Sequence, residues 1–383
     1  MSNAQAFTFH RHKLADQYCD SLEGKGLADS RSGLFLAAPR RTGKSTFLRE
    51  DLLPEMKNRG WTTVYVDLWA DKARDPALLI TSAIKSKFAS FAGVIAKLAK
   101  AGGLEKVNVF GALSVSLDSL DLPAGLTLAD ALEALDKAGD APVAIVIDEA
   151  QHALSTKAGV DAMFALKAAR DHMNQGSGKQ RLFLVLTGSN RDKLAHLVLK
   201  RDQPFFGSQV TKFPLLDKEF TDQYTDHVNP YLATSNQFQY EDMYEAFKLV
   251  GHRPEILRQI VSEVALNAGA GHLREDLKNG AEELKQRMWD SMESEFASLT
   301  DIQQAVIQTM IAQNKDFSPF GERSMRAYAA LTNQEKVPIP TVQAALDMLR
   351  DKGLVWRSAY GSYALEDESM SIWFKAKQEG AAR

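Results

Sequence analysis

A short apolar run, Leu34-Phe35-Leu36-Ala37, leads into Ala38-Pro39-Arg40-Arg41-Thr42-Gly43-Lys44-Ser45. A helical pattern follows from Thr46 to Leu53, with Phe47, Leu48 and Leu52 on one side and Pro54 as its expected stop. Strand, loop and helix in this order constrain the chain more than any other stretch. Such a loop turns successive backbone N–H groups toward one point at a helix N-terminus, where an anion is favoured. The spacing is that of a phosphate-binding P-loop, with Ala38 where the first glycine would stand. Pro39, Arg40, Arg41, Thr42, Gly43, Lys44, Ser45 and Thr46 form the expected phosphate-binding set. Lys44 is expected to reach the outer phosphates of a nucleoside triphosphate, and the Ser45 hydroxyl to hold Mg²⁺. A Gly-Lys-Ser turn on a bare surface binds nothing; the strand and helix flanks set this one apart.

Alanine followed by proline takes left-handed dihedrals less easily than glycine, so the loop is expected to leave its strand in a more extended form. The chain has 383 residues, long enough for two or three domains with cores. A net charge of −3 offers no global electrostatic case for nucleic acid or a membrane surface. The single cysteine, Cys19, excludes an internal disulfide framework and fits a reducing cytosol. Residues 1–30 hold no continuous apolar run, and no stretch approaches ~20 apolar residues, so neither a secretory signal nor a membrane span is expected. A cytoplasmic chain is the expectation.

The first half alternates apolar strand-like runs (Thr62–Leu68, Val143–Ile147, Leu182–Leu186, Val210–Phe213) with helical patterns such as Ala77–Ala92. Continuous apolar strands separated by helices imply a parallel sheet covered on both faces. Residues 102–125 break the alternation and suggest a short extended excursion or hairpin. Residues 218–295 read as helices punctuated at Gly251-His252-Arg253-Pro254. Three further helices follow, at Leu299–Ile311, Arg323–Leu331 and Thr341–Lys352, and then two short strand-like runs around Tyr360-Gly361. These are the makings of a winged helix. The expected fold is therefore α/β: a parallel-sheet P-loop core over 1–217, a helical lid over 218–295 and a winged-helix domain over 296–383.

Asp148-Glu149 closes the apolar run Val143-Ala144-Ile145-Val146-Ile147. A buried strand would deliver Asp148 beside the phosphate loop of a neighbouring strand, where it can hold Mg²⁺ together with Ser45. Glu149 is then placed to polarise an attacking water. Acids are favoured at any helix N-terminus, but about 100 residues after a P-loop the catalytic reading is the better one.

In these motifs the chain resembles P-loop ATPases of the AAA+/STAND group, especially the archaeal-type ATPases. The residues that carry the resemblance are Pro-Arg-Arg-Thr-Gly-Lys-Ser at 39–45, Asp-Glu-Ala-Gln at 148–151, Leu-Thr-Gly-Ser-Asn at 186–190 and Gly-His-Arg-Pro at 251–254. It runs from about residue 10 to the C-terminal domain. The resemblance implies ATP as the nucleotide, hydrolysis of its β–γ bond, and a catalytic set of Lys44, Glu149, Asn190 and Arg253. Asn190 or Ser189 would be a sensor of the γ-phosphate, although the same residues also make a good strand-ending turn. Arg253 would reach the phosphates from the lid and couple nucleotide state to domain angle; an ordinary helix start with a surface arginine is the alternative. Related chains often carry an arginine after an aromatic-Gly pair. Here Ser208 follows Phe206-Gly207, with Arg191 and Arg201 nearby.

The C-terminal 88 residues carry ten basic and ten acidic side chains. The outward side of the third helix offers Gln343, Asp347, Arg350 and Asp351, and acids there would repel phosphates. Arg323, Arg326, Arg357 and Tyr360 leave a local DNA footprint open, against packing on the core or on a protein partner. Trp356, Tyr363, Trp373, Phe374 and methionines 288, 292, 310, 325 and 348 read as core. His152, His172, His196, His227, His252 and His272 show no metal-ligand spacing and read as surface or capping residues. A homo-oligomer is left open, since an arginine can be supplied in trans. The two functional readings are an ATPase switch and a nucleotide-sensing scaffold with negligible turnover.

Overall fold

The computed structural model describes residues 7–25, 28–91, 127–176, 179–189, 191–199, 201–267, 272–357, 362–367 and 369–381. The excursion expected at 102–125 lies outside them. Five strands, β1 (Leu34–Ala37), β2 (Thr62–Asp67), β3 (Val143–Asp148), β4 (Leu182–Gly188) and β5 (Val210–Lys212), form one sheet in the order β2-β3-β4-β1-β5. All neighbours are parallel.

Side chains on a strand alternate between faces, and both faces of this sheet are dry. Phe35, Val64, Ile145, Ile147, Leu184 and Leu186 pack on one side with helices Pro76–Ala89, Leu128–Gly139 and Lys157–Met173. Leu34, Leu36, Ala144, Val146, Phe183 and Val185 pack on the other, against helix His12–Leu22 and the helical run after the P-loop. On that second face Trp61 stacks on Phe183 with ring centroids 3.9 Å apart. This double coverage is why the strands are continuous apolar runs and not alternating ones.

The helical run after the P-loop does not stop at Pro54. It passes from Lys44–Phe47 through a π-helical turn at Leu48–Leu52 into Leu53–Asn58. Proline lacks an N–H and crowds the carbonyl four residues back. The wider π turn ahead of Pro54 gives its ring room, so the helix continues instead of ending.

Two more apolar clusters lie beyond the sheet. One joins Leu216, Phe220, Phe247, Leu257, Ile260 and Leu277, with Phe7 and Phe9 from the N-terminal segment packed against it. The other joins helices Asp301–Gln313, Glu322–Leu331, Ile339–Asp351 and Ser369–Ala381 with β6 (Val355–Arg357) and β7 (Tyr363–Leu365), an antiparallel pair. The tip of that hairpin, with Tyr360, lies outside the described residues. The hairpin is shared between two cores. Val355, Tyr363 and Leu365 face its own helices, while Trp356 and Ala364, one residue out of phase, pack on the core of the parallel sheet. Trp356 is thus a core residue, as expected, but of the neighbouring layer. Met348 departs from its expected place: it is 53% exposed. Among the described residues, no helix is long and apolar enough to cross a membrane.

Ile145 is fully buried in β3 between β2 and β4. Ile145→Ala should destabilise the fold by about 2–5 kcal/mol. The urea midpoint should drop with little change in slope; an unchanged midpoint would show that β3 is not the tightly packed centre described here.

Candidate nucleotide site

Strand pairing carries past β1: the Ala38 N–H donates to the Gly188 carbonyl at 3.2 Å. The chain therefore leaves the sheet extended, as the Ala-Pro pair requires, and turns later. The turn falls on Arg41 (φ 64°) and Gly43 (φ 87°). A left-handed arginine is a mildly strained conformation of the kind found at binding loops. Gly43 carries the second left-handed turn without a side chain, and a Cβ there would also meet Leu216 Cδ1 at 3.4 Å. Thr42 is turned into the loop, its hydroxyl donating to the Pro39 carbonyl at 2.7 Å, so its side chain holds the loop's shape.

β4 stands between β1 and β3, and all three end at the same edge. Their ends converge on Asp148. Lys44 Nζ donates to Asp148 Oδ1 at 2.7 Å, to Thr187 Oγ1 at 3.2 Å and to Glu149 Oε1 at 3.3 Å. Ser45 Oγ donates to Asp148 Oδ2 at 2.5 Å, and Thr187 Oγ1 donates to Asp148 Oδ1. Glu149 sits in the left-handed region (φ 54°). Its Oε2 accepts from Gln151 Nε2 at 2.5 Å and from the Ser189 N–H at 3.3 Å. Lys44, Asp148, Thr187 and Gln151 are all buried.

Burial alone would push both carboxyls up. For Asp148 the Lys44 charge and the hydrogen bonds from Lys44, Ser45 and Thr187 outweigh burial, and its pKa lies below the ordinary value. For Glu149 the Lys44 charge and the Gln151 and Ser189 hydrogen bonds do the same, against repulsion from Asp148. Both are carboxylates at neutral pH. His152 differs from the surface histidine expected. Its ring lies 4.3 Å from that of Trp69, and burial pushes it down to about 4, so it is neutral. His252 is partly buried, its Nδ1 2.8 Å from the Leu216 carbonyl in the loop before helix Lys218–Val228.

A cleft of about 780 Å³ opens over these groups, within the range of small-molecule sites. Pro39, Arg40, Arg41, Gly43, Lys44, Ser45, Thr46, Asp148 and Glu149 line it, together with the apolar Phe7, Phe9, Leu216, Pro254 and Met288. Arg253 lines the cleft and donates to Ser369 Oγ, so it links the cleft to the last helix. Asn190 lies outside the described residues, as does the Arg191 side chain. Ser189, the other sensor choice, is buried within 3.4 Å of Gln151 Nε2. Arg201 is exposed.

The sequence motifs include Thr187, in the sensor stretch, and Gln151, but assign neither side chain a partner, and they give no role to Trp69, Lys193 or Glu366. Arg40 Nη2 donates to Glu366 Oε1 at 2.5 Å, and its guanidinium lies 4.4 Å from the Trp69 ring centroid. The fully buried Lys193 donates to Glu366 Oε2 at 2.8 Å. Glu366 follows β7, so an acid of the C-terminal hairpin is inserted beside the P-loop. A polar residue ending a wholly apolar strand was the available signal for Thr187. Nothing local marks Glu366, whose partners lie 326 and 173 residues away.

No protein-family model and no curated protein matches the sequence. Solved structures do. The Walker-type ATPase PABY2304 of Pyrococcus abyssi is 19% identical over 96% of each chain, with a TM-score of 0.54. The ORC2 protein of Aeropyrum pernix in its ADP form is 15% identical over 97% of this chain and 94% of that one, with a TM-score of 0.51. The likeness is one of fold: an α/β P-loop core with helical regions, along nearly the whole chain.

Both carboxyls have folded pKa values below their unfolded ones. Each therefore contributes stability above the unfolded carboxylate range, which is lost as pH falls through the folded value. Lys44→Met removes the lowering charge and leaves the burial. Its acid unfolding, followed by circular dichroism, should begin at a higher pH than that of the wild type; an identical acid limb would mean that Lys44 does not hold these acids ionised.

Proposed function

We propose that the chain binds ATP with Mg²⁺ and hydrolyses its β–γ bond, the nucleotide acting as a switch on the C-terminal hairpin. The observation that carries the reading is the convergence of Lys44, Ser45, Asp148 and Glu149 on one cleft. Ser45 Oγ and Asp148 Oδ2 are adjacent hard oxygen donors of the kind Mg²⁺ takes, so the residues fit the ion. When bound there, Mg²⁺ would neutralise charge on the phosphates.

The chain's own groups do the rest. The loop N–H groups and Lys44 hold the phosphates, Lys44 exchanging carboxylate oxygens for phosphate oxygens. Glu149 is anchored through Oε2, so the departure of Lys44 leaves Oε1 to accept a proton from the attacking water. Arg40, Arg41 and Arg253 bring positive charge to the cleft lining. Ser208 supplies none where an arginine finger would stand, a charge that can contribute ~10³–10⁵ in rate. Slow turnover follows, and this keeps the nucleotide-sensing scaffold as the second reading.

The switch runs through Glu366. Phosphates compete with this carboxylate for Arg40, and an altered Arg40–Glu366 pair loosens the hairpin that packs on the sheet through Trp356. The units we assign are 1–217, 218–295 and 296–383. For the partner we favour protein over DNA. On helix Ile339–Asp351, Asp347 binds both Gln343 and Arg350, while Ile339 and Met348 present apolar surface.

Glu149→Gln should keep ATP binding and reduce turnover by about 10²–10⁴-fold, whereas Lys44→Ala should lose ATP binding. Turnover unchanged in Glu149→Gln removes Glu149 from the chemistry. Amide hydrogen exchange should rise over 355–357 and 363–367 when ATP and Mg²⁺ are added, and should already be high in Glu366→Gln; no change on nucleotide addition contradicts the switch.

A further inference from the structure

His10 and His12 flank Arg11 at the start of helix His12–Leu22, and their rings stack with centroids 4.9 Å apart and planes within 10°. His10 Nδ1 lies 2.9 Å and His12 Nδ1 3.6 Å from Asp51 Oδ1. The three donor atoms all fall within 4.8 Å of one another. Arg11 turns elsewhere, donating to the Pro214 carbonyl at 2.8 Å and lying over the Phe213 ring at 4.8 Å. Asp51 is the unusual member. It is a carboxylate with a side chain only 1% exposed, and it lies in the π turn Leu48–Leu52. Such turns re-aim a side chain and are frequent at functional sites.

We propose that His10, His12 and Asp51 form a binding site for a borderline divalent transition ion of the Zn²⁺ kind. Two imidazoles and one carboxylate are a donor set that such ions take, and one that the harder Mg²⁺ and Ca²⁺ do not. A tetrahedral ion with bonds of about 2.0–2.1 Å sets its ligand atoms about 3.4 Å apart; the two separations from Asp51 Oδ1 bracket that value. The exposed side of the two histidines leaves the remaining position to water. The ion ties the N-terminal segment, whose Phe9 and Arg11 line the cleft, to the helix that follows the P-loop. The site stands on geometry independent of the nucleotide reading.

The test is a Zn²⁺ titration of the full chain without a histidine tag, in millimolar Mg²⁺ so that the Ser45–Asp148 oxygens do not compete. The expected result is one tight Zn²⁺ per chain, a higher melting temperature with Zn²⁺, and at least about a ten-fold loss of affinity in His10→Ala/His12→Ala. The double substitution leaves the buried Asp51 without its His10 hydrogen bond, so without Zn²⁺ the variant should melt below the wild type; the decisive readout is that Zn²⁺ no longer raises its melting temperature. Absence of stoichiometric binding, or equal affinity in the double variant, overturns the proposal.

Discussion

The buried pair of Lys44 and Asp148 is the interaction on which the rest of the site depends. An isolated charge in so dry a place would cost several kcal/mol. Each is tolerated because the other is there, with Ser45 and Thr187 completing the hydrogen bonding of the carboxylate. The pair holds together the ends of three neighbouring strands, so the sheet order and the site are one fact. β1 must lie beside β4, and β4 beside β3, for an amine at 44 to meet an acid at 148. In the proposed function, a triphosphate with its metal ion would satisfy the same charges in another way, which is the physical reason a switch is proposed.

The sheet and this pair could be read from the sequence because their causes are local. Apolar runs bounded by Pro142, Asp148 and Gly188 specify buried strands, and Gly43-Lys44-Ser45 after such a run specifies an anion-binding turn. The Pro54 stop failed because a π turn accommodates a proline that an α-helix would not, and hydrophobic spacing does not distinguish the two. Glu366, Lys193 and Trp69 were illegible for a different reason. Glu366 meets Lys193 and Arg40 across 173 and 326 residues of sequence, and Trp69 meets Arg40 and His152 from separate elements, and no periodicity encodes such contacts. His10, His12 and Asp51 join the N-terminal segment and the start of helix His12–Leu22 to the π turn Leu48–Leu52, a contact between elements that no local pattern announces.

The C-terminal hairpin shows how a small element can belong to two bodies. Alternation along β6 and β7 sends Val355, Tyr363 and Leu365 one way and Trp356 and Ala364 the other. A one-residue slip would exchange the two faces. With Glu366 at its end, pinned between Arg40 and Lys193, the hairpin is tied by charge to the loop that would receive phosphate. Arg253 and Ser369 make a second polar tie from the cleft to the last helix, which shares the hairpin's core.

The most direct measurement is steady-state phosphate release from ATP by the purified chain, with Mg²⁺ and with the metal chelated. The account predicts slow turnover that disappears on chelation. Tight ATP binding with no phosphate release in Mg²⁺ would contradict it and leave a nucleotide-binding scaffold in its place.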